Sequence, residues 1–272
     1  MVRAADRSKQ PRASVWLEGG RARGSGTRGS GRREGQDGGL DRERITGATV
    51  RLLDAEGLAR FSMRRLAAAL DVTAMSLYWY VDTKDDLLEL ALDAAFGELD
   101  LPAAELGGGE NGVAPGAGDW RAQLRELATD YRAMLVRHPW ISPLAGRFLN
   151  IGPHSLAFSL AVQRLMRRSG VPPQGLTGAI SAVFQFVYGF GTIEGHFRQR
   201  CAEAGMTQDE YVDDAMRAAV SEPRMAGPIG ESADLLAARG GATVEEMRER
   251  DFRFALDLLI AGIENTVRSG TT

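Results

Sequence analysis

The sequence predicts an all-α fold in two parts, with a three-helix helix-turn-helix unit ahead of a larger helical domain. Three observations carry this. Apolar residues recur at helical spacing of three and four along most of the chain. Ser and Thr stand where helix N-caps belong, several with an acidic residue three positions on. No stretch alternates as a half-buried strand does, and no internal repeat is present.

Residues 1–40 are rich in Gly, Arg and Ser and are expected to be a disordered basic extension: a basic arm that adds phosphate contacts, a solvated tail, or sequence that lies ahead of the true start codon. A first helix is predicted from Asp41 to Glu56, with Ile45, Ala48, Thr49, Leu52 and Leu53 on one face and Gly57 as its stop. Ser62 caps a second helix carrying Leu66, Ala67 and Leu70. Asp71-Val72 makes a tight break, and Thr73 caps a short third helix from Ala74 to Val81. Its inward residues are Leu77 and Val81. Trp79 is read as packing inward, whereas Ala74, Met75, Ser76, Tyr78 and Tyr80 face out. Thr83 caps a fourth helix to about Leu99, with Asp86 completing a capping box. The stretch 62–84 therefore has the pattern of a helix-turn-helix followed by a supporting helix, a device that lays its second helix in the major groove of DNA.

Residues 102–118 hold six glycines and two prolines and read as a flexible boundary loop. The domain behind it spans 119–270. Asp119 to Arg137 places Trp120, Leu124, Leu127, Tyr131 and Met134 on one stripe before His138-Pro139 ends the helix. Another helix runs from Pro153 to Arg168 and ends at Gly170. Residues 175–198 are the most hydrophobic helix, apolar nearly all round, and are expected to be buried nearly all round by a partner chain, a ligand or both. Thr207 with Glu210 starts a helix to about Val220. Residues 221–241 read as a loop with a short helical piece. Thr243 with Glu246 starts the last helix, which runs to about Arg268.

Composition narrows the function. With 44% hydrophobic and 25% charged residues the chain is ordinary for a globular protein. No run approaches the roughly 18 apolar residues of a membrane span, so no transmembrane helix and no membrane partner are expected; no apolar leader follows the N-terminus, and Cys201 is the single cysteine, so a reducing cytoplasmic setting is expected. Only Lys9 and Lys84 are lysines, a bias toward Arg that matches a high-GC genome. Residues 1–40 carry nine basic and four acidic side chains, residues 41–84 seven and six, and the remainder seventeen and twenty-six. A neutral-to-basic front with an acidic body suits a DNA reader attached to a non-DNA domain. No P-loop, dinucleotide fingerprint, G-x-S-x-G elbow or H-E-x-x-H occurs, and the three histidines lack ligand spacing, so neither catalysis nor a metal or other cofactor is expected. His196 near Glu194 reads as a surface pair, and His138 as a helix cap.

Leu77-Tyr78-Trp79-Tyr80-Val81-x-x-Lys84, preceded by Arg64-Arg65-Leu66-Ala67 and followed by Leu87-Leu88, resembles the TetR family of bacterial transcriptional regulators, in the subgroup that includes the tetracycline repressor. The clear part covers residues 42–100. The resemblance implies a homodimer on a palindromic DNA operator, with a C-terminal domain for ligand binding and dimerisation through helices near 175–198 and 243–268. It implies DNA contacts from Arg64, Thr73, Ala74, Met75, Ser76, Tyr78 and Tyr80, with Lys84 clamping a phosphate. Ala74, Met75 and Tyr80 depart from the tetracycline repressor, so a different operator is implied. Tyr131, Phe184, Gln185, Tyr188 and Thr192 are the candidates for lining an effector pocket for an unknown small molecule. The alternative at this point is a DNA-binding regulator without any ligand, whose C-terminal domain serves dimerisation only.

Overall fold

A computed structural model describes residues 14–17, 40–101, 119–232, 234, 235, 238 and 242–269. Most of the 1–40 extension and the whole 102–118 loop lie outside the described residues. Those described form helices α1 (Arg42–Glu56), α2 (Met63–Ala69), α3 (Ala74–Leu77), α4 (Lys84–Phe96), α5 (Trp120–Arg137), α6 (Ile141–Ala145), α7 (Pro153–Arg168), α8 (Leu176–Glu203), α9 (Gln208–Ser221), α10 (Pro223–Glu231) and α11 (Val244–Ser269). No strand occurs among them. They divide into two compact units, one within Met1–Leu99 and Trp140–Ser159, the other within Asp100–Pro139 and Leu160–Thr272.

The first unit begins as the caps dictate. Asp41 accepts the Arg44 N–H at 2.7 Å, and Gly57 leaves α1 at φ 77°. Ser62 caps α2 through the Arg65 N–H. Asp71 turns the chain at φ 54°, a left-handed geometry that Asp tolerates better than most side chains. Ile45, Leu53, Leu66, Leu77 and Val81 fill the core between these helices. Thr83 and Asp86 form the expected capping box on α4. α6 was not expected; Trp140 ahead of it donates its indole N–H to Asp54 at 2.6 Å.

α4 buries more than the leucine face its periodicity predicts. Asp86, Glu89 and Asp93 are also buried, each at most 4% exposed. Ionised groups out of water need donors, and each has them. Asp86 accepts the Asp82 and Thr83 N–H groups at 3.0 Å. Glu89 accepts the Val15 N–H at 2.8 Å and the Ser14 hydroxyl. Asp93 accepts the Ser155 N–H at 2.9 Å and the His154 N–H at 3.4 Å, so it caps the start of α7 from another helix. Gly152 is required beside it, since a Cβ there would collide with the Asp93 carboxylate.

In the second unit α8 packs along α5. A Cβ on Gly191 would come within 3.0 Å of the Leu135 side chain, and one on Gly195 within 3.0 Å of the Leu135 carbonyl, so both glycines allow the close approach. Arg132 of α5 is buried between the rings of Phe190 and Phe252, 5.1 and 4.5 Å from their centres. Its guanidinium donates to Glu194 of α8 at 2.8 Å and to Glu249 of α11 at 2.6 Å. Glu194, expected from sequence to lie in a surface pair with His196, is instead buried and paired with Arg132. His138, 2% exposed, closes α5 as predicted, its N–H donating to the Met134 carbonyl at 2.9 Å.

Residues 223–231 form a helix, α10, the helical piece expected within 221–241, which accommodates Pro228. Within the single chain only Val183, Val187, Gly191, Glu194, Gly195 and Cys201 are buried along α8. The stretch Pro173–Glu203 is in fact long and apolar enough to cross a membrane by length and composition, with a mean hydropathy of 1.4 and 17% of its most apolar window buried. Counting uninterrupted apolar runs missed this because Gly, Thr and Gln interrupt the run without lowering the average much.

Replacing Asp93 with Ala should lower the unfolding free energy by roughly 1–3 kcal/mol, the combined effect of a lost cap and a lost charge-assisted hydrogen bond. Denaturant unfolding of the two proteins checks this, and equal stability would contradict the capping role.

Candidate nucleic-acid interface and effector core

The first unit presents a short recognition segment on a rigid support. Thr73 caps α3, its hydroxyl accepting the Ser76 N–H at 3.2 Å and lying 2.9 Å from the Ser76 hydroxyl. Leu77, 0% exposed, and Val81, 4% exposed, anchor the segment in the core. Around that anchor the large side chains turn outward: Met75 is 70% exposed, Tyr78 46%, Trp79 74% and Tyr80 41%. Ala74 and Ser76 are half-buried.

Trp79 thus corrects the inward packing read from sequence. Two residues past Leu77 is about 200° around a helix, whereas Val81, four residues past, returns to the same face. α3 is regular only to Leu77, and residues 78–80 continue it as turns.

The basic residues near this surface differ in availability. Arg65 is committed to Glu56 at 2.5 Å. Arg64, next to it at the start of α2, is exposed and has no hydrogen bond or ion pair among the described residues. Lys84, the first residue of α4, donates from Nζ to the Phe61 carbonyl at 2.9 Å and lies 5.3 Å from the Phe61 ring centre. It ties the start of α4 to the residue before the Ser62 cap, while its side chain stays exposed. A cation at the first turn of a helix opposes the helix dipole, so this position is held by its contacts and not by helix preference. The interface candidates Arg64, Thr73, Ala74, Met75, Ser76, Tyr78, Tyr80 and Lys84 all lie within the first unit.

In the second unit the effector candidates separate. Phe184, Tyr188 and Thr192 follow one another at intervals of four on α8. Tyr131 of α5 is 7% exposed and tilts against Phe184, ring centres 6.0 Å apart. The Thr192 hydroxyl is buried with no hydrogen-bond partner among the described residues. Gln185 lies about 100° round the helix from Phe184 and is exposed. A cavity of about 500 Å³ opens elsewhere in this unit, lined by Thr129, Arg132, Ala133, Val136, Glu194 and Glu249 among others. None of the five candidates lines it, because aromatic spacing does not report where ionic side chains leave space.

Comparison with known proteins agrees with this architecture. Residues 45–91 match the family described as bacterial regulatory proteins, tetR family, and residues 112–267 match the tetracyclin repressor-like C-terminal domain. The chain is similar to an HTH-type transcriptional regulator of Saccharopolyspora erythraea, 36% identical over 188 residues that cover 69% of this chain and 74% of that protein. It is similar to the HTH-type transcriptional repressor DrrR1 of Streptomyces coeruleorubidus, 33% identical over 172 residues, 63% of this chain and 60% of that protein. Among solved structures it resembles the TetR family protein ActR of Streptomyces coelicolor in complex with actinorhodin, at 25% identity and a TM-score of 0.61, covering 85% of this chain and 99% of that one.

Burial first, and the nearby Tyr188 second, hold the Tyr131 phenol well above its ordinary range. The unfolded chain releases that proton near pH 10, about the ordinary value, and the folded chain only at higher pH. Stability from this group is therefore complete below pH 10 or so and falls as pH rises beyond it. Tyr131→Phe should flatten this alkaline loss in stability-versus-pH curves, and an unchanged loss would show that Tyr131 is not its source.

Proposed function

The chain belongs to the TetR family of bacterial regulatory proteins, and we propose that it is a homodimeric repressor that holds a palindromic operator and releases it when a small molecule enters its second unit. The observation that carries the reading is the recognition segment. Four large side chains stand exposed around a two-residue core anchor, a surface that a free helix would bury and a DNA reader must display. Arg64, free among the described residues, takes a base edge. Thr73, Ala74, Met75 and Ser76 meet the groove floor, with Met75 and Ala74 suited to thymine methyl groups. The hydroxyls of Tyr78 and Tyr80 reach phosphates, and Lys84 exchanges the Phe61 carbonyl for a phosphate oxygen.

Dimerisation through α8 and α11 is supported by their unpartnered apolar residues. Ile193 of α8 is 70% exposed, and Phe254 and Leu258 of α11 are 66% and 58% exposed. An apolar surface of this kind on paired long helices is what a second copy would cover. The repressing sense is supported by the relative named as a repressor. The effector role is supported by the ActR complex with actinorhodin, and within this chain by the tilted ring pair of Tyr131 and Phe184, by Tyr188 and by the unpartnered Thr192 hydroxyl. Coupling between effector and operator is reciprocal: a molecule that weakens operator binding is itself bound less tightly by the DNA complex.

Two sets of variants test the reading. Lys84→Ala should weaken binding to every DNA sequence and lower the salt slope by about 1, whereas Arg64→Ala should relax preference at one base pair by roughly 1–3 kcal/mol. Binding isotherms over a salt series and over single-base operator variants read both, and an unaltered preference in Arg64→Ala would rule out base reading there. Leu258→Asp, which sets a charge in the proposed dimer surface, should give a monomer by light scattering; a native chain that is itself monomeric would remove the basis for the dimer.

A further inference from the structure

Within the extension ahead of α1, residues Ser14–Leu17 have a defined place. Ser14 is 4% exposed, as is Glu89 in the middle of α4. Both carboxylate oxygens of Glu89 are engaged by this segment. Oε1 accepts the Ser14 hydroxyl, and Oε2 accepts the Val15 N–H at 2.8 Å. The Ser14 oxygen in turn accepts the Trp16 N–H at 3.1 Å, and the Leu17 N–H closes a turn on the Ser14 carbonyl at 3.4 Å. The Trp16 ring faces the Arg42 guanidinium at the start of α1, 5.8 Å from centre to carbon. Among the described residues Glu89 has no other hydrogen-bond donor. A carboxylate buried in mid-helix without donors is strongly disfavoured. The helix therefore carries a residue whose burial makes sense only with the segment seated.

We propose that Glu89 is the anchor of a docking site on α4 for Ser14–Leu17, and that this segment is a strap that fastens the N-terminal extension to the DNA-reading unit. The site recognises a side-chain hydroxyl followed by the main-chain N–H of the next residue, with an aromatic ring placed over Arg42. Seating the strap and keeping Glu89 buried are one event, so whatever displaces the strap also loosens the middle of α4. The same geometry makes Ser14 the point at which a negative charge unseats it, because that charge would face the Glu89 carboxylate.

Hydrogen exchange on the full chain tests this. The Val15 amide should exchange roughly 100-fold more slowly than in a free peptide of residues 10–20, as expected for a hydrogen-bonded and part-buried N–H. Ser14→Asp should return it to the free-peptide rate and speed exchange around Glu89, while the core amides of α1 keep theirs. Glu89→Leu removes the anchor without leaving an orphan charge and should likewise release Val15. Free-peptide exchange at Val15 in the unmodified chain would overturn the proposal, as would protection that survives Ser14→Asp. Should Glu89→Leu fail to fold, the Ser14→Asp comparison decides alone.

Discussion

A carboxylate taken out of water has to be given donors, and α4 takes three of them out. Asp86, Glu89 and Asp93 lie along one helix, each nearly inaccessible, and each accepts main-chain N–H groups from a different part of the first unit. Asp86 serves the start of α4 itself, Glu89 the segment at residues 14–17, and Asp93 the start of α7. Leucines on the same helix supply burial energy without direction, since apolar contact is indifferent to small slips. Hydrogen bonds to fixed N–H groups are not, so these carboxylates set the register of α4. Lys84 and the recognition segment are positioned by that register, because Lys84 opens α4 and reaches back to Phe61.

The second unit uses the same physics with the signs reversed. One buried cation, Arg132, gathers carboxylates from α8 and α11 and the faces of two phenylalanines. Removing one member of such a cluster leaves an uncompensated buried charge, so it acts as a unit. Small residues at Gly191 and Gly195 let α8 approach α5, which leaves the opposite side of α8 outward and apolar. The first unit thus presents its exposed segment around Leu77, and the second exposes Ile193, Phe254 and Leu258.

Much of this was legible in the sequence because it is local. Caps at Ser62, Thr73, Thr83 and Thr207 announce themselves within four residues, and the structure forms a side-chain cap bond at each. The stripe Trp120, Leu124, Leu127, Tyr131 and Met134 is buried as its period requires. What escaped is non-local or was misjudged in phase. Glu89 and Asp93 look like the solvated side of an amphipathic helix, because their donors come from residues 15, 154 and 155. Glu194 pairs with Arg132 across sixty-two positions, which periodicity cannot see. Trp79, read inward by alternation with Tyr78 and Tyr80, stands exposed because its angle from Leu77 places it outside.

If the exposed segment around Leu77 reads DNA as part of a symmetric pair, selection of bound sequences from a random DNA pool at physiological salt should yield a palindromic consensus whose half-sites lie about one helical turn apart, or slightly more. Enrichment of no motif, with binding that is only salt-sensitive, would contradict it.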